Sequence, residues 1–220
     1  MKSICIRLGC FIMAGLFVAF ATSAAAADEQ MVKSSRTEPV PDAGKALVIF
    51  VRSSFVVGAY SAPVLDLDVK IAEPKPAQMP VEDKIVGILS GYSKIAYQAT
   101  PGEHTFISVP SGGGPALVAK ANLQEGKTYF VLVKPNWGFA PSFSLVPARN
   151  EPAAEVRLDS PDLAGWLKGT DFYEPTPLAE GWLNSNRPSI ASKKAEALAK
   201  WNALPEAEKK KLTLLETDSK

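Results

Sequence analysis

The sequence predicts a mainly β fold, an antiparallel immunoglobulin- or transthyretin-like β-sandwich carrying a C-terminal helical appendage. Three observations predict it. Between residues 46 and 149, short runs rich in β-branched and aromatic residues alternate with glycine- and proline-bearing turns at regular spacing. No helical period interrupts them. After Ser189 the texture switches to apolar residues at helical spacing. The 220-residue chain is 46% hydrophobic and 21% charged, which excludes a disordered polymer, and two cysteines cannot make a disulfide scaffold.

The amino terminus reads as an export signal. Lys2 and Arg7 precede an apolar stretch from Leu8 to Phe20, followed by small residues through Ala27 and then Asp28. A basic start, an apolar middle and an A-x-A end place cleavage between Ala27 and Asp28. The competing reading is a retained anchor, since Leu8 to Ala27 is about long enough to span a membrane. Cys10 precedes the apolar core of that stretch, whereas a lipidation cysteine follows it. With residues 1–27 removed as a signal peptide, both Cys5 and Cys10 are lost. Without Lys2 and Arg7, 22 basic residues face 23 acidic ones, a formal net charge of −1. Thiolate metal sites are then excluded, no cofactor is expected, and a near-neutral surface argues against a nucleic-acid partner. The expected location is periplasmic or secreted.

Residues 28–44 are polar with Pro39, Pro41 and Gly44, and predict a flexible leader. The sandwich domain is expected over 45–149. Ala46–Arg52 reads as a buried strand. In 62–70, Leu65, Leu67 and Val69 alternate with Asp66, Asp68 and Lys70, placing the carboxylates on a solvated face. Lys84–Leu89 and Lys94–Gln98 flank Ser90–Ser93 as a hairpin. Thr100-Pro101-Gly102-Glu103 has type II turn chemistry and leads into His104–Val109. Ser111–Pro115 is a loop without a phosphate-binding signature. Strands over 116–123, 127–133 and 142–146 complete the region.

The segment 150–220 is expected to pack on the sandwich through a short helix capped by Ser160, with Pro161 at its first position, and a longer amphipathic helix. That second helix opens at Ser189, with Ala191, Ala195, Leu198 and Trp201 inward and Lys193, Glu196 and Lys200 outward. A further helical turn starts after Pro205 and carries Lys209, Lys210 and Lys211. Those lysines suggest at most a surface contact with anionic lipid, because the last 34 residues are only +3.

The stretches Ala46–Ser54, Val86–Leu89, Pro101–Thr105 and Gly126–Val131 resemble an uncharacterised, domain-of-unknown-function family of exported bacterial envelope β-sandwich proteins. The turns at Pro101–Thr105 and Gly126–Val131 are PEGA-like. The resemblance covers about 46–146 and implies a small sandwich; it brings no catalytic residue. The chain departs from the family's lipid-anchored members in lacking a usable lipidation cysteine.

Candidate chemistry is sparse. His104 is the only histidine; a hydrolase would need it beside a nucleophile and a carboxylate, and no G-x-S-x-G elbow occurs. An exposed strand histidine is the expectation. Asp66 and Asp68 form a D-x-D pair that could hold a divalent ion or bracket a sugar, but solvation explains them equally, and no metal site is expected. Of four tryptophans, Trp201 is expected in the core, Trp166 and Trp182 at the docking seam, and Trp137 on a loop as a ligand-surface candidate. The sequence therefore points to a non-enzymatic binding or structural module of the bacterial envelope, its partner an envelope protein or cell-wall component. The alternative is an envelope hydrolase or carbohydrate-binding protein using Asp66, Asp68, His104 or Trp137.

Overall fold

A computed structural model describes residues 29–54, 60–67, 83–111, 114–138 and 140–220. The signal segment, its Ala27–Asp28 junction, and Asp68 lie outside the described residues. In chain order the described elements are β1 (Met31–Lys33), β2 (Ala46–Arg52), β3 (Ala62–Leu67), β4 (Lys84–Leu89), β5 (Ser93–Ala99), β6 (Gly102–Ser108), β7 (Leu117–Leu123), β8 (Thr128–Asn136), β9 (Ser142–Arg149), β10 (Val156–Arg157), α1 (Pro161–Lys168), β11 (Asp171–Pro175), α2 (Pro177–Ala203), α3 (Glu206–Lys211) and β12 (Thr213–Leu214). The β-branched and aromatic runs form the strands, as their stiff side chains favour.

The strands divide into two sheets, ordered β1-β11-β5-β2-β8-β9-β10 and β12-β7-β6-β3-β4. The expectation of a purely antiparallel arrangement does not hold. The pairs β2–β8, β5–β11, β9–β10 and β7–β12 are all parallel. The reason lies in the connections. Ser90–Ser93 does not close a hairpin, because β4 belongs to the five-stranded sheet and β5 to the other. The Thr100–Glu103 turn likewise carries the chain between sheets, with Gly102 at φ +115° supplying the conformation a side chain resists. β5 therefore pairs with β2 and β11 and not with β4 or β6, while β3–β4, β6–β7 and β8–β9 remain successive antiparallel pairs.

Both sheets are covered on both faces. Between them, Val48, Phe50 and Tyr129 meet Val64 and Phe106, with the Phe50 and Phe106 rings edge-to-face at 5.1 Å. The outer face of the seven-stranded sheet presents Leu47, Ile49, Phe130 and Leu132 to Leu163 and Trp166 of α1. Helix α2 lies over the outer face of the five-stranded sheet, where Lys120 of β7 sits 5.9 Å from the Trp201 ring. The order across the molecule is α1, sheet, sheet, α2.

The helices follow their caps. The Ser160 hydroxyl accepts from Leu163 N–H at 3.2 Å, with Pro161 at the first turn. Helix α2 begins twelve residues before the expected Ser189, capped by Thr176, and runs through Pro188. Its buried positions are Ala179, Leu183, Ile190, Ala197 and Trp201, a 4-7-7-4 stripe, whereas Ala191 and Ala195 are exposed. Continuous packing along that stripe outweighs the one hydrogen bond proline removes. The last helix ends at Lys211, and 213–214 pair with β7 as a strand.

The leader is also partly ordered. Met31–Lys33 pair with β11, and Met31 is buried, its sulfur 3.3 Å from the Ile88 amide. Trp201 is core and Trp166 and Trp182 are docking residues, as the sequence suggests.

Candidate functional site

Asp66 and His104, expected on solvated surfaces, are buried together. Asp66 is fully inaccessible and His104 is 7% exposed. In β3, Asp66 pairs with Phe106 of β6, so both side chains, with His104 two residues earlier, face the inter-sheet space. Leu65 and Leu67 take the opposite face. The alternation seen in the sequence is real, but its two sides are exchanged: the carboxylate turns inward and the leucines turn toward the helical layer.

Hydrogen bonds satisfy most of this burial. Asp66 Oδ2 accepts from the Tyr97 hydroxyl at 2.8 Å and from His104 Nδ1 at 2.8 Å. His104 Nε2 lies 2.7 Å from the Thr100 carbonyl oxygen. A carbonyl oxygen only accepts, so Nε2 donates to Thr100, and in the imidazolium form Nδ1 donates to the Asp66 carboxylate as well. Burial alone pushes the His104 pKa down, but the hydrogen bond and charge of Asp66, together with the Thr100 carbonyl, outweigh it and hold the pKa above its ordinary value. The ring stacks on Phe106 at 5.7 Å. Burial, then the Asp66 charge, raises the Tyr97 pKa far above the ordinary phenol value. Asp66 Oδ1 has no hydrogen-bond partner among the described residues.

Chemically the cluster is closed. The Thr100 hydroxyl lies 3.4 Å from His104 Nε2, an order superficially like acid, base and nucleophile. The proton on Nε2 points to the Thr100 carbonyl at the shorter distance, leaving no lone pair to abstract a proton from the hydroxyl. A cleft of about 640 Å³ opens beside the ring, bordered by Thr100, Glu103, Lys120, Asn122 and Thr213.

Trp137 stands elsewhere. Tyr97 is level with Val48, and Val48 with Tyr129. Trp137 lies eight residues further along the same direction, roughly 25 Å away at strand rise. It is 81% exposed, next to Asn136, whose amide nitrogen donates to the hydroxyls of Ser142 and Ser144 at 3.2 and 2.9 Å and so braces the β8–β9 hairpin. The structure therefore joins Asp66 to His104 and leaves Trp137 at the opposite end.

Sequence reasoning passed over three buried polar groups. Tyr97 bonds Asp66 from the other sheet. Arg52 is fully buried, donates to the carbonyls of Tyr60 and Leu89 at 2.8 and 3.0 Å, and lies 4.5 Å from the Phe143 ring; burial lowers its pKa to about 10. Lys94 donates to the carbonyls of Leu167 (2.6 Å) and Thr170 at the end of α1, and burial pulls its pKa down. A single arginine closing the apolar strand 46–52 was the one visible signal. The three C-terminal lysines are each paired: Lys209 with Glu206 and Lys211 with Glu208 at 2.7 Å, and Lys210 with Glu151 at 3.6 Å.

Among the described residues, no group of three or more His, Cys, Asp or Glu side chains is placed to hold a metal ion, and no helix is long and apolar enough to cross a membrane. No protein-family model and no curated protein matches the chain.

Proposed function

We propose that this chain is an exported, non-enzymatic binding module of the bacterial envelope whose recognition surface is the Trp137 hairpin. The observation that carries the reading is the contrast between the chain's two candidate sites. The one imidazole is locked by hydrogen bonds between Asp66 and Thr100, whereas a large indole is presented to solvent on a braced turn. Exposed tryptophans offer a rigid amphipathic face at low entropic cost, which suits a sugar ring of the cell wall or an apolar pocket of an envelope protein. Export rests on the tripartite amino terminus and on the loss of both cysteines with it.

Within this reading the two-sheet core is of immunoglobulin or transthyretin type. Tyr129, at the start of β8, supports that assignment: its hydroxyl accepts from the Gln124 amide, five residues upstream, at 3.0 Å. A tyrosine bonding back to an upstream amide is a recurring corner of immunoglobulin-like sandwiches.

The test combines processing and capture. Protein recovered from outside the cytoplasm should begin at Asp28 by amino-terminal sequencing. Purified peptidoglycan sacculi, and cross-linked intact cells, should retain the mature chain and release Trp137→Ala. Equal retention of both proteins, or an unprocessed cytoplasmic chain, overturns the proposal.

A further inference from the structure

One end of the two sheets gathers the exposed aromatic rings. Among the described residues these are Tyr60, Tyr92 and Trp137, at 38%, 54% and 81% exposure. Arg52 at the end of β2 is level with Ser93, and β8 runs parallel to β2. Tyr92 and Trp137 therefore leave the seven-stranded sheet at the same end. Tyr60 joins them from the other sheet through the buried Arg52. One guanidinium nitrogen donates to the carbonyls of Tyr60 and of Leu89, which lies just before the Tyr92 turn. The same guanidinium lies over Phe143, which is level with Pro135 in the Trp137 hairpin. A single buried side chain thus touches all three segments that carry a ring. The exposed aliphatic residues, Val32, Val40 and Leu178, lie on the leader and at the start of α2.

Tyr92 is strained. Its φ is +57°, the one positive value among the described non-glycine residues, a left-handed conformation that a bulky side chain resists and glycine adopts freely. Its ring, more than half exposed, gains little packing in return. Strain of this kind recurs at binding sites, where presenting the side chain outweighs it. Val51 is level with both Lys94 and Leu132; Tyr92 and Trp137 lie two and five residues beyond that level, on strands separated by β2. They stand about 10 Å apart along the strands and about 10 Å across them. Rings so spaced do not make the continuous apolar core of a protein interface. The groups near them are the Ser61 and Ser111 hydroxyls, 3.2 Å from one another, and the Asn136 amide. Neighbouring charges are neutralised: Asp171, whose amide donates to the Tyr92 carbonyl, pairs with Lys33 at 2.8 Å, and Lys134 pairs with Glu155. Separate ring faces among neutral hydroxyl and amide groups are complementary to a chain of sugars, whose rings offer apolar C–H faces and hydroxyl edges.

We propose, resting on the Trp137 hairpin as the recognition surface, that Tyr60, Tyr92 and Trp137 form one platform that binds a polysaccharide strand, each ring stacking on a different sugar.

Peptide-free glycan strands, released from purified sacculi and labelled at one end, test this by fluorescence anisotropy with the mature protein. Saturable binding is expected, its affinity rising from the disaccharide to the long strand and unmoved by salt. Trp137→Ala, Tyr60→Ala and Tyr92→Gly should each weaken the long strand about two- to tenfold, the order of one stacked ring. Tyr60→Ala keeps the carbonyl that Arg52 uses. Tyr92→Gly relieves the strained φ, so it should bind less while its unfolding midpoint stays or rises. Absence of saturable binding overturns the platform, as do equal affinity for disaccharide and strand, binding lost in salt, and unchanged affinity in either tyrosine variant. If Trp137→Ala is still released from sacculi when the tyrosine variants bind normally, the platform fails and the hairpin reading stands. A cross-linked protein partner that depends on Trp137, with no glycan binding, separates the two in the same way.

Discussion

Removing the His104 imidazole alone should destabilise the protein more than removing the whole polar cluster. His104→Ala leaves Asp66 fully buried with one oxygen lacking a partner among the described residues and the other held by Tyr97. Stripping one partner from a buried ion pair costs about 3–5 kcal/mol, because the remaining charge stays desolvated. The lost ring contact with Phe106 adds a cavity contribution. In the triple variant Asp66→Leu, Tyr97→Phe, His104→Leu the cluster's charges and phenol are gone, and the groups that lose a partner are the carbonyl and hydroxyl of Thr100, an exposed residue that water can reach. Its cost should stay at or below about 1–3 kcal/mol, the range for an acceptor left fully unsatisfied in the interior. Urea unfolding at pH 6 with equal m-values measures both. A His104→Ala change below about 1 kcal/mol, or a triple variant less stable than the single one, would falsify the reasoning. The pH dependence has a defined sign. The folded His104 pKa lies above the unfolded value of about 6.5, so its stabilisation is complete below that value and disappears as pH rises through the folded pKa. The slope should reach at most about 1.4 kcal/mol per pH unit on the alkaline side. Asp66→Asn should flatten it; an unchanged slope would remove the ion pair from the account.

Three further outcomes are expected. Arg52→Leu leaves the Tyr60 and Leu89 carbonyls without their donor and should cost about 2–4 kcal/mol in urea unfolding, since hydrogen bonds to charged groups are the stronger kind. In Gly87→Ala the new Cβ would stand 2.5 Å from Ile95 Cδ1 and 3.1 Å from Met31 Cε, an overpacking of about 1–3 kcal/mol. Ile95→Val in the same chain removes the clashing methyl, so the double variant should lose less than the two single costs added, and strict additivity would refute the contact. Trp137→Ala should leave the unfolding midpoint nearly unchanged, within about 0.5 kcal/mol for an exposed side chain; a larger shift would show the indole to be packed.

The sequence by itself determined the strands between 46 and 149, where most of their turns fall, and that Ser160 caps α1; the short strands at 31–33, 156–157, 171–175 and 213–214 were not legible in it. The legible features depend on local chemistry: β-branched side chains, proline before glycine in the 100–103 turn, and a capping hydroxyl. It also determined that 65–67 alternates, with leucines on one side and Asp66 on the other. Only the tertiary structure decided which side is inside. Alternation tells the two faces of a strand apart but carries no sign when both faces are covered, and here α2 lies over the leucines while the second sheet lies over Asp66. The sheet assignment was equally nonlocal. The connection 90–93 could close a hairpin or cross between sheets, and the choice is made by Phe50, Tyr97 and Phe106 packing across residues far apart in sequence. The helix ran past Pro188 for the same reason, its buried stripe extending from Ala179 to Trp201. His104, beside a tight turn, looked exposed until β3 and β5 brought a carboxylate and a phenol to it. A buried charge is stable only where such partners converge, and convergence is a property of the packed sheets.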